Sequence, residues 1–130
     1  MPTRVWQDTG VTSPDDDTLA TATRDIAEVP AIEIITTLAV HLMSAAAVKC
    51  GLAPDSPASR GADLRDLDEA RTLITALAGL VTASAPDLGN EHARSLRDGL
   101  RSLQLAFREA SPYPDAPGDG PGERLTGPVS

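Results

Sequence analysis

Apolar side chains recur at helical spacing in three separate stretches of the chain. Residues 30–50 are apolar nearly all round, and residues 67–84 carry an apolar stripe at intervals of three and four. Residues 91–110 repeat the pattern at intervals of four, three and four, at Leu96, Leu100, Leu103 and Phe107. Such intervals are typical of α-helices, and the third resembles a coiled-coil seam. We predict an all-α fold, a three-helix unit in which helices 1 and 2 form an antiparallel helical hairpin and a third amphipathic helix closes one side.

Residues at the ends of these stretches favour the same division. Gly51 follows helix 1, where a left-handed residue commonly closes a helix. Asp66, with Glu69 three positions later, has the spacing of a helix N-cap and predicts the start of helix 2. Pro86 predicts that helix 2 ends at about residue 84, and Asn90 is suited to cap helix 3.

Glycine and alanine inside the helices predict where backbones approach closely. Gly79 lies in the interior of helix 2, although glycine there costs about 1 kcal/mol relative to alanine. Helix 1 offers three consecutive alanines at residues 45–47. We therefore expect helices 1 and 2 to meet at these small residues, and Gly99 to mark a second close approach on helix 3.

Both ends of the chain have the composition of unfolded segments. Residues 111–130 hold five Pro and four Gly, and residues 1–24 have few apolar side chains and the acidic run Asp15–Asp17. Such segments bury too little apolar surface to offset the entropy of ordering. We predict a disordered leader (1–24), a helical domain (25–110) and a disordered Pro/Gly-rich tail (111–130). Docking of the tail on a partner or on the same protein is the alternative.

The predicted core is small and has a single aromatic side chain, Phe107, because the only Trp and Tyr lie in the tails. Cores this light often gain cover by oligomerising. Helix 1 is apolar on more sides than two amphipathic helices can cover, which favours burial against another surface. We predict a homo-oligomer that self-associates through one side of helix 1, with the contact formed by Ile34, Leu38, Leu42, Ala45 and Ala46.

Helix 1 could also be considered as a membrane segment. The uncharged stretch between Glu33 and Lys49 is fifteen residues long and contains Thr, His and Ser. A membrane-spanning helix needs about 20 predominantly apolar residues. We therefore predict no membrane span. The opening residues show no secretory pattern, and a single cysteine suits a reducing compartment, so we expect a cytoplasmic protein.

The formal net charge is −8. The predicted domain alone has twelve acidic and eight basic residues, a balance of −4. An acidic domain argues against a nucleic-acid partner, since such partners select basic surfaces. Four arginines nevertheless share much of one side of helix 3. We interpret them as a solvated face or as a face for an anionic partner, formed by Arg94, Arg97, Arg101 and Arg108.

The chemistry-bearing residues do not form a recognisable constellation. His41 and Cys50 are nine positions apart on helix 1, about two and a half turns, and so do not share a face. Cys50 lies at the C-terminal end of helix 1, where the negative end of the helix dipole disfavours a thiolate. His41 and His92 have no metal-ligand spacing. We predict no enzyme, cofactor or metal. We interpret His41 either as a partly buried structural residue that donates to a backbone, Thr or Ser acceptor, or as a pH-sensitive contact in an oligomer.

The order of these segments resembles the DUF 1844 family. Its members have an apolar helix followed by a Gly-Leu-x-Pro loop, here Gly51 to Pro54. The likeness continues through residues 66–77, Gly89 and Asn90, and then the apolar repeat of helix 3. It covers about residues 30–110, and the chain looks like an actinobacterial version with added ends. The resemblance implies a small helical cytosolic protein and supplies no active site, because the function of the family is unknown.

The leading hypothesis is therefore a non-enzymatic cytoplasmic protein that self-associates as a helical interaction module. The alternative is an adaptor that binds a macromolecular partner through the arginine face of helix 3 or through the tails. That partner would be an unidentified protein, the translation apparatus or a nucleic acid. A third hypothesis is a role at a membrane surface, with helix 1 exposed.

Overall fold

The structure is a computed structural model, and it describes residues 26–57 and 60–129. Spatial contacts between Cα atoms divide the chain into residues 1–33 and 34–130. In the first unit, residues 26–28 are helical and the Val29 amide donates to the Ile26 carbonyl (3.1 Å). The predicted leader, residues 1–24, lies outside the described residues.

The described residues form helices and no strand. In chain order the long helices are α1 (Ala31–Lys49), α2 (Leu67–Leu88) and α3 (Asn90–Ala110). A short 3-10 helix (Gly61–Leu64) precedes α2, and a single turn, α4 (Glu123–Thr126), follows α3. The predicted all-α unit with three long helices is confirmed.

The predicted stop of helix 1 and start of helix 2 are also confirmed. Gly51 has φ +89°. Its amide donates to the Val48 carbonyl (3.0 Å), and the Leu52 amide reaches back to Ala47 (3.0 Å). This pair of bonds is the Schellman motif, which satisfies carbonyls that a helix end leaves open. At α2, the Glu69 amide donates to Asp66 Oδ1 (3.2 Å), as expected of an N-cap.

The junction between α2 and α3 differs from the prediction. Helix α2 continues past Pro86 to Leu88, so the predicted end near residue 84 was wrong. Pro86 lies in the last turn, where its missing N–H removes one backbone hydrogen bond. Gly89, with φ +84°, alone separates the two helices. Asn90 is the first residue of α3 and not its cap, and no side chain caps this helix.

The antiparallel hairpin is formed by α2 and α3. The guanidinium of Arg71, near the start of α2, lies 5.0 Å from the ring centroid of Phe107, near the end of α3. Assigning the hairpin to helices 1 and 2 was wrong, because no Cα atom of α1 lies within 8 Å of one in α2. The expected close approach at Gly79 is also absent, since a Cβ there would meet nothing within 4 Å. The approach predicted at Gly99 does occur, against the Met43 side chain.

The core lies between the facing stripes of α2 and α3. From α3, all four members of the predicted seam are buried, including Phe107. From α2, the stripe contributes fully or almost fully buried side chains at Ala70, Ile74, Leu77, Ala78 and Val81. Burial of such aliphatic side chains contributes about 1.5–3 kcal/mol each for the larger ones. The periodicity therefore identified the core faces of these two helices correctly.

The C-terminal segment, defined as residues 111–129, is ordered and packs on the hairpin, so the predicted disordered tail was wrong. Gln104 on α3 is 2% exposed, and its Nε2 donates to the Pro121 carbonyl (3.0 Å) and to Thr126 Oγ1 (3.1 Å). Arg71 forms an ion pair with Asp115 (2.9 Å). The side chain of Val129 is buried. The alternative prediction, that the tail docks on the same protein, is the one that agrees with the structure.

Candidate functional site

Two surfaces contain the residues that the sequence predicts to contact a partner. The first is the outer side of α1. This helix buries only Ala39 and Ala46 completely. Its outer side shows apolar side chains at relative exposures of 37–49%, namely Ile34, Leu38, Val40 and Val48. A contiguous apolar patch on a protein surface often marks an interaction site, whereas single exposed apolar residues are ordinary.

Five outward positions of α1 follow a regular interval. Ile34, Leu38, His41, Ala45 and Val48 are separated by four, three, four and three residues. This is the interval of a coiled-coil seam, which brings all five to one side of the helix. We call these five residues the α1 seam. His41, which is exposed, lies at its centre.

The structure distributes the predicted self-association residues unevenly. Ile34 and Leu38 are exposed, whereas Leu42 and Ala45 are half-buried. Ala46 has no exposed surface, so it lies on the inner side of α1. Val48, which was not among the five predicted contact residues, is also exposed, and its interval from Ala45 continues the seam.

The inner side of α1 is held by contacts within the second unit. The side chain of Met43 fills the space beside Gly99 on α3, where a Cβ would come 2.5 Å from its sulfur. At the helix end, the Asp66 amide donates to the Lys49 carbonyl (2.8 Å). These contacts fix which side of α1 faces outward.

Helix α1 is also the single helix among the described residues that is long and apolar enough to cross a membrane, judged by length and composition. Only 11% of its most apolar window is buried within the chain. Core helices of soluble proteins and signal sequences near an N-terminus share this length and composition.

The second surface is a cleft of about 320 Å³ between α2, α3 and the C-terminal segment. Arg97 and Arg101, two of the four arginines predicted as an anion-binding face, line it. Arg94 is exposed and does not line the cleft. Arg108 donates instead to the Asp115 carbonyl (2.9 Å) and so helps to hold the C-terminal segment. The remaining lining residues are Val81, Thr82, Leu100, Gln104, Leu125, Thr126 and Val129.

The cysteine and the two histidines differ in their exposure to solvent. Cys50 is buried, and desolvation raises the pKa of its thiol above the ordinary value. His41 and His92 are both exposed, so the prediction of a partly buried His41 was wrong. Among residues 26–57 and 60–129, no group of three or more His, Cys, Asp or Glu side chains is arranged to hold a metal ion. Burial of the thiol disfavours the reactive thiolate form.

The comparisons with known proteins identify one family. No curated protein and no solved structure matches the chain. A family model described as a domain of unknown function matches residues 31–109, which is more than half of the sequence. The match begins at the first residue of α1 and ends within the last turn of α3. The chain therefore belongs to the DUF1844 family.

Proposed function

We propose that this protein is a non-enzymatic, cytoplasmic helical interaction module that self-associates through the α1 seam. The observation that supports this function is the outward display of Ile34, Leu38 and Val48 on a helix whose inner side is already packed. Apolar surface gains about 25 cal/mol for each Å² removed from water. A second copy of the chain provides an identical apolar stripe to cover it.

The partner helix is expected to run antiparallel. The first turn of α1 contains Glu33 and its last turn contains Lys49. In an antiparallel pair, Glu33 of each copy meets Lys49 of the other, whereas a parallel pair would bring like charges together. Helix dipoles also oppose each other favourably in the antiparallel arrangement. Charge complementarity therefore favours a two-fold symmetric dimer, the commonest form of homo-oligomer.

The seam residues fit that symmetry when His41 lies at the two-fold axis. Ile34 and Val48 are each seven residues from His41, so they face one another across the pair. Leu38, three residues from His41, then lies beside the small side chain of Ala45 of the second copy, which is four residues from the axis. Complementary sizes at facing positions are what close packing requires. The sequence of the seam is thus suited to pairing with itself.

This register brings two imidazoles together at the axis. Within one turn of His41 on its own helix the seam-side residues, Thr37, Leu38, Ser44 and Ala45, are uncharged, and the second copy presents the same set. The centre of the proposed dimer is therefore free of Asp, Glu, Lys and Arg side chains.

Sedimentation velocity of the full chain at micromolar concentration tests the proposal. Leu38→Glu introduces a charge into the seam and should convert the dimer to monomer. Val40→Glu is the matched control, because Val40 has nearly the same exposure (49% against 48%) and lies on α1 outside the seam. A wild-type chain that stays monomeric, or equal loss of dimer in both variants, would refute the proposal.

The direction of pairing is tested separately by disulfide formation in a Cys50→Ala background. An equimolar mixture of Ile34→Cys and Val48→Cys chains should form mixed disulfide dimers rapidly. Each variant alone should not, because equivalent residues lie far apart in an antiparallel pair. Rapid crosslinking of Ile34→Cys with itself would indicate a parallel pair.

Membrane association is the competing outcome for an exposed apolar helix. Thr37, His41 and Ser44 lie on the outer side of α1, which favours a protein partner over a hydrocarbon environment. Flotation with anionic liposomes distinguishes the two. A chain that floats with the vesicles and sediments as a monomer without them would replace the self-association proposal.

A further inference from the structure

We propose that the cleft between α2, α3 and the C-terminal segment is a binding site for a small carboxylate with an apolar body, of the medium-chain fatty acid type. This site is separate from the α1 seam, and its existence does not depend on self-association. Two features support it: an apolar floor and a pair of arginines at one edge. Each limits the chemistry of the ligand in a different way.

The floor of the cleft is hydrophobic and built from three elements. Val81 on α2, Leu100 on α3 and Val129 in the C-terminal segment all line it, and each is at most 3% exposed. Leu125, which also lines the cleft, is 53% exposed and could be covered by a bound ligand. A volume of about 320 Å³ lies at the lower end of the range for ligand pockets. The floor therefore suits a short aliphatic chain.

The charged edge is formed by Arg97 and Arg101. Residues four apart on a helix are neighbours on one face, so both guanidinium groups can reach one ligand. The Arg71–Asp115 pair is the one ion pair formed among the described residues, which leaves Arg97 and Arg101 without an acidic partner in that part of the chain. Two adjacent cations beside an apolar cleft are unexpected in a chain of net charge −8.

The neighbouring polar side chain has a structural role. Gln104 lines the cleft, but its Nε2 is engaged by Pro121 and Thr126. It thereby holds the wall formed by the C-terminal segment. The arginines are left as the strongest available donors, and guanidinium groups bind carboxylates through paired hydrogen bonds. An apolar carboxylate satisfies both the edge and the floor, whereas inorganic phosphate satisfies only the edge.

Titration of the ¹⁵N-labelled full chain with octanoate tests the site by chemical-shift changes. Saturable shifts are expected at residues 81, 100 and 129, with much weaker binding of octanol and of inorganic phosphate. Arg97→Gln and Arg101→Gln should each weaken octanoate binding about tenfold or more, since a charge-assisted hydrogen bond is lost. Arg94→Gln is the matched control on the same helix and should leave the affinity unchanged.

Three results would overturn the site. They are the absence of saturable shifts at millimolar octanoate, equal affinity for octanol and octanoate, and equal weakening by Arg94→Gln and Arg97→Gln. Because the measurement follows the cleft residues and not the α1 seam, its failure would leave the self-association proposal unaffected. Conversely, a chain that binds octanoate but stays monomeric would support the cleft site and refute the self-association proposal.

Discussion

Gly122→Ala is the most direct perturbation of the docked C-terminal segment. Gly122 has φ +77°, a left-handed conformation that costs an L-residue about 1–2 kcal/mol. A Cβ at this position would lie 2.6 Å from the Ala78 Cβ and 3.2 Å from Gln104 Nε2. Carbon atoms in contact are ordinarily about 3.5–4.0 Å apart. Since Ala78 is fixed in α2, the C-terminal segment must move outward by about 1 Å to relieve the contact.

That displacement breaks the contacts of Gln104 with Pro121 and Thr126. Each hydrogen bond contributes about 0.5–1.5 kcal/mol net. Together with the backbone strain, the expected loss in the free energy of unfolding is about 2–5 kcal/mol. For a domain of this size, 1 kcal/mol corresponds to about 4–8 °C in Tm, so Tm should fall by about 8 °C or more.

The assay combines urea denaturation with hydrogen exchange at the Leu125 and Gly127 amides, which donate to Gly122 (3.0 Å) and Glu123 (2.8 Å). Both amides should lose protection in Gly122→Ala. The matched control is Gly118→Ala, because Gly118 also has positive φ (+89°) but no atom lies within 4 Å of its Cβ position. The free energy of unfolding of Gly118→Ala should fall only by the cost of backbone strain, about 1–2 kcal/mol. Equal losses in the two variants, or retained protection in Gly122→Ala, would refute the packing argument.

Three further predictions concern the hairpin, the helix glycines and the thiol. Leu100→Ala should lower the free energy of unfolding by about 2–5 kcal/mol in urea denaturation, because Leu100 is buried in the core; a loss below about 0.5 kcal/mol would contradict this placement. Gly79→Ala should increase the free energy of unfolding by up to about 1 kcal/mol and so raise Tm, whereas Gly99→Ala should be less favourable because Met43 must move. The reverse order in thermal melts would contradict the contacts at these two glycines. Cys50 in the native protein should react with iodoacetamide at pH 8 far more slowly than Cys50 in the unfolded chain, because burial raises the pKa of its thiol and lowers the thiolate fraction. Equal reaction rates would show that the native thiol is accessible.

Local features of the fold could be predicted from the sequence because their causes are local. The Gly51 stop and the Asp66 cap depend on a few adjacent residues whose backbone preferences are strong. The buried seam of α3 follows from apolar intervals alone, as the burial of Leu96 and Phe107 shows. The seam-like interval on α1 was likewise present in the sequence, but its outward direction was not. An apolar stripe does not specify which of several surfaces covers it.

The junction between α2 and α3 was harder to predict because two strong signals pointed the wrong way. Pro86 suggested a helix end, yet a proline in the last turn removes only one hydrogen bond and the helix continues. Asn90 suggested a cap, whereas Gly89 makes the turn in a conformation that asparagine adopts less readily. The result is an abrupt hairpin with a one-residue connection.

The wrong assignment of the hairpin and the wrong prediction of a disordered tail have a common physical cause. Helix 1 was expected to cover α2 beside Gly79, but the C-terminal segment occupies the neighbouring position, with Gly122 against Ala78. Glycine and proline lowered the apolar content of that segment, yet Gly122 is what lets its backbone come this close to α2. With α3 and α4 already packed on α2, helix α1 makes no backbone contact with α2 within 8 Å. The exposure of the α1 seam therefore follows from how the C-terminal segment covers the hairpin. The C-terminal segment also forms one wall of the cleft that Arg97 and Arg101 line.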